Sequence, residues 1–289
     1  MDIGLFNIRE NMKKTILFLT ILVIQACSVS VKESNFIVND NKKTILTPAQ
    51  LTEINEMKAG IQTSVLTINH PDGIKTKGFW IKQSKSTSVI IYFGGNSMRI
   101  NDVYKEMLPE LLSLNTDIVW LDHRGLGGSE GKANLNNLMQ DGLDTYKYVT
   151  QNTNNKVIVY GLSLGSFIAG NIAKNNNSVA GLILEASSTN VSEWVDKAVP
   201  WYIKPLSTIN IEEKLKSVGN DDVVKNYKGP LFILVGEDDK VTPVELNQAL
   251  FTASISLNKQ IFIAKERKHG NAITSPEGKR KLLTFIRQL

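Results

Sequence analysis

Gly161-Leu162-Ser163-Leu164-Gly165 sets a serine in a G-x-S-x-G turn directly after the apolar run Val157-Ile158-Val159-Tyr160. A helical stretch with Phe167, Ile168, Ile172 and Ala173 follows. A buried strand turning sharply into a helix leaves the serine hydroxyl exposed above a sheet, and the flanking glycines let neighbouring backbone close in. The chemistry open to such a serine is nucleophilic attack on an acyl carbon. A serine hydroxyl is a weak nucleophile near neutral pH, so it needs a base within hydrogen-bond reach and a third group to orient that base. Only His70, His123 and His269 supply an imidazole.

The elements that must position these groups can be read further along the chain. Leu231-Phe232-Ile233-Leu234-Val235-Gly236 has the pattern of a buried parallel strand, and Glu237, Asp238 and Asp239 follow it. Carboxylates then stand at the C-terminal end of a strand, where open α/β sheets collect functional groups. Gln260-Ile261-Phe262-Ile263-Ala264 reads as one more strand, followed by a polar loop with His269-Gly270-Asn271. The order is serine, acid, histidine, which is the chain order of the α/β-hydrolases.

Two further motifs join these. Tyr92-Phe93-Gly94-Gly95-Asn96-Ser97 follows the third strand, and Leu121-Asp122-His123-Arg124-Gly125-Leu126-Gly127-Gly128-Ser129-Glu130-Gly131 the fourth. With Gly161–Gly165 and Gly236-Glu237-Asp238-Asp239-Lys240-Val241-Thr242-Pro243, they make the chain resemble the α/β-hydrolase-fold serine esterases of the lysophospholipase and monoacylglycerol-lipase-like branch, from about Val65 to the C-terminus. The resemblance implies an α/β fold: a mainly parallel central sheet flanked by helices, with a small helical cap inserted after the sixth strand. It implies Ser163 as nucleophile, His269 as base and Asp239 as acid, since the family's aspartate stands three positions after the glycine, before a Val-x-Pro-like helix start; Asp238 is the competitor. The oxyanion donors are expected to be the backbone N–H groups of Leu164, at a helix N-terminus, and Asn96, in the loop after the third strand. Family members usually carry His-Gly where this chain has Gly94-Gly95.

The implied reaction is cleavage of carboxylic esters, of small or acyl-chain substrates, through an acyl-enzyme. Thioester or peptide hydrolysis on the same triad is the alternative, as is a non-catalytic envelope lipoprotein using the fold as a binding module. No cofactor and no metal are expected: the glycines of Gly125–Gly131 miss the dinucleotide pattern, and Asp221-Asp222 and Glu212-Glu213 lack a histidine at ligand spacing. His70, ahead of the turn Pro71-Asp72-Gly73, is expected to face solvent. His123, Asp122, Arg124 and Glu130 are expected to hold their loop together.

The N-terminus carries a different message. Lys13-Lys14 precede the apolar run Ile16–Ile24, too short for the roughly 20 residues of a membrane-spanning helix, and Ile24-Gln25-Ala26-Cys27 resembles a bacterial lipobox. Residues 1–26 are therefore expected to be a lipoprotein-type signal peptide, with Met12 as the natural start and Cys27, the single cysteine, as the lipidation site. A plain signal peptide or simple anchor is the alternative. The resulting expectation is an exported protein of a bacterial cell envelope, held to a membrane through a lipid on Cys27. The net charge of +5 is scattered, which argues against a nucleic-acid partner. Residues 27–60 are expected to be a tether and a short helix at Pro48–Lys58, and residues 61–289 the hydrolase domain, opening with an antiparallel pair around Val65–Asn69 and Gly78–Lys82. The insertion at about 187–229, with Trp194, Val195, Val199, Pro200, Trp201, Tyr202, Ile203 and Leu206, is expected to cap the site and suit an acyl chain or other lipid-like substrate, or else to pack the cap onto the body.

Overall fold

The computed structural model describes residues 27–40, 44, 46–200, 202, 204 and 207–289. The expected signal peptide, and Trp201, Ile203 and Leu206 of the cap, lie outside the described residues. Among the described residues no helix is long and apolar enough to cross a membrane.

The described residues open with β1 (Cys27–Val31), α1 (Glu33–Phe36) and α2 (Pro48–Glu56), then β2 (Ile61–Asn69), β3 (Lys75–Gln83) and β4 (Ser88–Phe93). From there strands and helices alternate: α3 (Ile100–Leu112), β5 (Asp117–Leu121), α4 (Leu135–Gln151), β6 (Lys156–Leu162), α5 (Leu164–Asn175) and β7 (Gly181–Glu185). The cap holds α6 (Val191–Ala198), β8 (Ser207–Ile211), α7 (Glu213–Lys216) and α8 (Asp221–Asn226). β9 (Leu231–Gly236), α9 (Val244–Ala253), β10 (Lys259–Ala264), a 3-10 turn (Ala272–Thr274) and α10 (Pro276–Arg287) complete the fold.

Among the described residues, eight strands form the main sheet in the order β10-β9-β7-β6-β4-β5-β3-β2. β2 pairs antiparallel with β3, and β3 with β5, while the other pairings are parallel. The expected opening hairpin and parallel programme are both present. β4, β7 and β9 are buried along their whole length because helices cover both faces of the sheet, which is why they read as unbroken apolar runs. Each face has its own core: Val159, Ile168, Leu184 and Ile233 on one side, Ile158, Trp120, Phe232 and Phe285 on the other. Capping boxes at Thr47, with Pro48 in the first turn, and at Asn134 start α2 and α4, satisfying donors a helix start leaves open.

The expectation of a tether after Cys27 needs correction. β1 pairs in parallel with β8, Cys27 opposite Ser207 and Val31 opposite Ile211. The Glu33 carboxylate accepts from the Leu135 N–H and Lys214 Nζ, and Ile37 is buried in the core. Cys-Ser-Val-Ser-Val is a short alternating sequence suited to a strand, and β8 supplies the partner edge. The cap is accordingly helical with one strand, fastened from behind by the N-terminal segment.

Candidate active site

Ser163 stands between β6 and α5 with φ 53° and ψ −115°, a conformation that costs about 1–3 kcal/mol and persists only where the surroundings enforce it. They do. Its N–H donates to Glu185 O at 2.9 Å, and its carbonyl accepts from the Ser166 N–H at 2.9 Å. A Cβ on Gly161 would lie 2.2 Å from Gly165 O, and one on Gly165 would lie 2.1 Å from Phe93 O. Both glycines are therefore required by backbone crossing backbone, as the motif suggested.

The other expected residues converge on this turn. His269 Nε2 is 3.1 Å from Ser163 Oγ. Its Nδ1 is 2.9 Å from Asp239 Oδ2 and 3.1 Å from Oδ1. With Nδ1–H donating to the carboxylate, Nε2 is left to accept from the hydroxyl. Asp239 is 4% exposed; its Oδ1 accepts the Val241 and Thr242 N–H groups at 2.8 Å, and its Oδ2 the Thr242 hydroxyl at 2.9 Å. Burial pushes this carboxyl up, but hydrogen bonds from His269 and Thr242 outweigh it and hold the pKa below the usual aspartate value. Asp238, the competitor, is exposed, and Glu237 is exposed with its Oε2 accepting from the Glu266 N–H at 3.3 Å.

Of the two expected oxyanion donors, Leu164 is the first residue of α5 and lines the same cavity as Ser163 and Asn96. The Asn96 amide oxygen accepts the Val38 N–H at 3.0 Å, so its side chain is engaged with the N-terminal segment. A Cβ on Gly95 would come 3.7 Å from the Ser163 Cβ, so the Gly94–Ser97 loop lies against Ser163. Two residues secure that loop: Met98 Sδ accepts the Gly95 N–H at 3.3 Å, and buried His123 donates from Nε2 to Gly94 O at 2.8 Å. Burial lowers the His123 pKa, which favours this neutral donor form.

The cavity at Ser163 has a volume of about 630 Å³. Its apolar lining includes Met98, Met107, Leu162, Phe167, Val191 and Trp194. Among its described lining residues Glu106 carries the one carboxylate, and none is lysine or arginine. Cap residues divide between the two expected roles: Trp194 lines the cavity and donates from Nε1 to Val241 O at 2.8 Å, whereas Val195 is buried in the core. Tyr202 is 60% exposed.

The loop charges are structural, as expected. Asp122 accepts the Ile100 N–H at 2.8 Å and the Gly128 N–H at 2.9 Å, with burial pushing its pKa up to about 6. His70 is not solvent-exposed: the turn forms, but the imidazole points inward, 4% exposed, with Nδ1 2.9 Å from Asp144 Oδ2 and Nε2 2.9 Å from Thr76 Oγ1. Burial there is compensated by Asp144, 74 residues along the chain, and by the nearby Thr76. His70, Asp141 and Asp144 bring potential metal ligands within 4.8 Å of one another. However, the Arg124 guanidinium donates to both oxygens of Asp141 and to Asp72, and a guanidinium at that distance repels a cation. The cluster is an ion-pair network that ties the loop after β5 to α4.

Sequence reasoning missed Met98, Thr242 as a ligand of the acid, and Glu185 beneath the serine. Thr242 lies inside the motif already quoted; Met98 and Glu185 have no local pattern to mark them.

A family model described as serine aminopeptidase, S33, matches residues 85–219. The chain is 29% identical over 188 residues to the lysophosphatidylserine lipase ABHD12 of Macaca fascicularis, covering 58% of this chain and 46% of that protein. It is 25% identical over 236 residues to the α/β hydrolase domain-containing protein WAV2 of Arabidopsis thaliana, covering 76% and 73%. The chain thus spans about half the length of the first of these relatives. Among solved structures it is similar to the Pyrococcus furiosus esterase Pf2001, with a TM-score of 0.68, 16% identity, and coverage of 87% of this chain and 99% of that one. The ferulic acid complex of Est1E from Butyrivibrio proteoclasticus gives a TM-score of 0.61 at 16% identity, over 77% of this chain and 98% of that one.

Proposed function

We propose that this chain, an α/β-hydrolase serine hydrolase by its fold and its relatives, cleaves carboxylic esters of single acyl chains through an acyl-enzyme on Ser163. The observation that carries this reading is the 3.1 Å contact between Ser163 Oγ and His269 Nε2 at one wall of an apolar cavity. His269 takes the hydroxyl proton as Ser163 attacks the ester carbonyl, and Asp239 holds the imidazole and balances its charge. The Leu164 and Asn96 N–H groups receive the oxyanion; one such donor is worth about 10²–10³ in rate in comparable enzymes. His269 then returns the proton to the leaving alcohol and activates the water that releases the acid.

A cavity of about 630 Å³ suits one acyl chain with a modest alcohol. The name of the ABHD12 relatives, a lipase for a lysophospholipid, is consistent with a one-chain lipid ester. In a p-nitrophenyl ester series, kcat/KM is expected to rise about fourfold per added methylene, from about 0.8 kcal/mol of buried CH₂, until the cavity is filled. A flat or falling profile from the shortest ester would exclude an acyl pocket. The description of the matching family favours a second reading, peptide amide hydrolysis. A peptide amide turned over faster than the best ester in the same assay would replace the first.

We also propose that the protein is exported and held to a bacterial membrane by a lipid on Cys27, a reading supported by the lipobox-like Ile24–Cys27. Mass spectrometry of the mature N-terminus is expected to find residues 1–26 removed and Cys27 acylated; an unmodified Cys27 would refute the anchor.

A further inference from the structure

Glu185 ends β7 with its side chain wholly buried, and the reaction above has no part for it. A carboxylate taken out of water is costly unless donors surround it. Here they do: the Tyr160 hydroxyl donates to Oε2, the Ile273 N–H to Oε1 at 3.1 Å, and the Ala272 N–H adds a third bond. Burial pushes this carboxyl above its ordinary pKa, and the three donors act the other way. Bonded at both oxygens, the side chain is held in one orientation.

The placement of these donors matters more than their number. Ala272 and Ile273 open the 3-10 turn that follows the His269 loop. On its main-chain side, Glu185 O accepts the Ser163 N–H at 2.9 Å. One residue therefore grips the nucleophile turn with its backbone and the imidazole loop with its side chain. The tie extends to the Gly94–Ser97 loop. The Tyr160 ring meets Tyr92 edge-on at 5.2 Å, and the Tyr92 hydroxyl lies 4.0 Å from the Met98 sulfur that holds the Gly95 N–H. The titratable groups facing Glu185 are Tyr160 on β6, Tyr92 on β4 and His269, with Asp239 beyond the imidazole.

We propose that Glu185 is a positioning residue of the hydrolytic site: its buried carboxyl keeps the His269 loop in register with the Ser163 turn. The inference rests on the esterase reading above. Without the bonds from Glu185 to that loop, the imidazole is held less closely against the Ser163 hydroxyl.

The test uses the full chain and a p-nitrophenyl ester. Glu185→Gln keeps the shape and one acceptor oxygen but removes the charge. In the folded variant kcat is expected to fall about 10- to 100-fold, the scale of a small misplacement of reacting groups. KM should stay within about twofold. Wild-type kcat in folded protein would overturn the proposal. So would a rise in KM that matches the loss of kcat, which is what a general loosening of the cavity gives. If Glu185→Gln does not fold, Tyr160→Phe decides, since it removes one donor with little change of shape. A several-fold loss of kcat with KM little changed is expected, and wild-type behaviour would overturn it. Ser163→Ala separates the two readings. Turnover persisting in that variant defeats the esterase site itself, whereas its loss beside a wild-type Glu185→Gln defeats this inference alone.

Discussion

Ser163→Ala is expected to remove at least about 10⁴-fold of kcat on any ester the protein cleaves, and to abolish covalent labelling by a fluorophosphonate. The magnitude follows from covalent catalysis: without the hydroxyl the acyl-enzyme cannot form, and only the oxyanion donors and binding remain, which in comparable enzymes retain 10³–10⁴-fold over water. The fold should not suffer. Ser163 makes its structural hydrogen bonds through its backbone, to Glu185 O and from the Ser166 N–H, and alanine preserves both. Circular dichroism and a thermal melt close to those of the parent would establish this. A folded variant labelled like the parent would show that another residue is the nucleophile.

Asp239→Asn is expected to lower kcat by about 10²- to 10⁴-fold, with the fold again retained. The native carboxylate accepts from Val241 N–H, Thr242 N–H, the Thr242 hydroxyl and His269 Nδ1. An amide has only one acceptor atom, so its NH₂ must face a donor. If it faces His269, the imidazole is driven to the tautomer that protonates Nε2, the atom needed to accept from Ser163. If it faces Val241 and Thr242, the loop holding the acid loses two bonds. Because the pKa of Asp239 is held below the usual aspartate value, the native group stays a carboxylate throughout the neutral range, and the variant removes both charge and orientation. The sign for stability follows: the ionised form contributes above the unfolded-state pKa, and that contribution is lost as pH falls through the lower folded value. Steady-state kinetics at neutral pH check the prediction; a loss below about tenfold would mean that Asp239 is not the orienting acid.

How much of this could be read beforehand depended on distance along the chain. The strand–turn–helix at Ser163 was legible because residues 157–173 carry its whole local pattern: the apolar run, two glycines and the helix face. Parallel strands were legible from their unbroken apolar composition, which burial on both faces demands. Asp239 and His269 were reachable because each follows such a strand. What stayed hidden depends on contacts without a local pattern. β1 meets β8 across about 180 residues, so Cys27–Val31 alone reads as a polar lead. The imidazole of His70 turns inward toward an acid 74 residues on, while its neighbours spell an exposed turn. Glu185 looks like the polar end of a buried strand until the loop after His269 is seen closing over it.

The twisted backbone at Ser163 also limits which nucleophiles this scaffold could evolve. A residue with φ of 53° and ψ of −115° tolerates a slim side chain but crowds a second branch at Cβ. Threonine carries the same hydroxyl and would still be excluded by its methyl group, whereas cysteine has the required outline. Descendants of this architecture can therefore trade oxygen for sulfur at the reactive position, but a secondary alcohol lies outside their reach without rebuilding the bend.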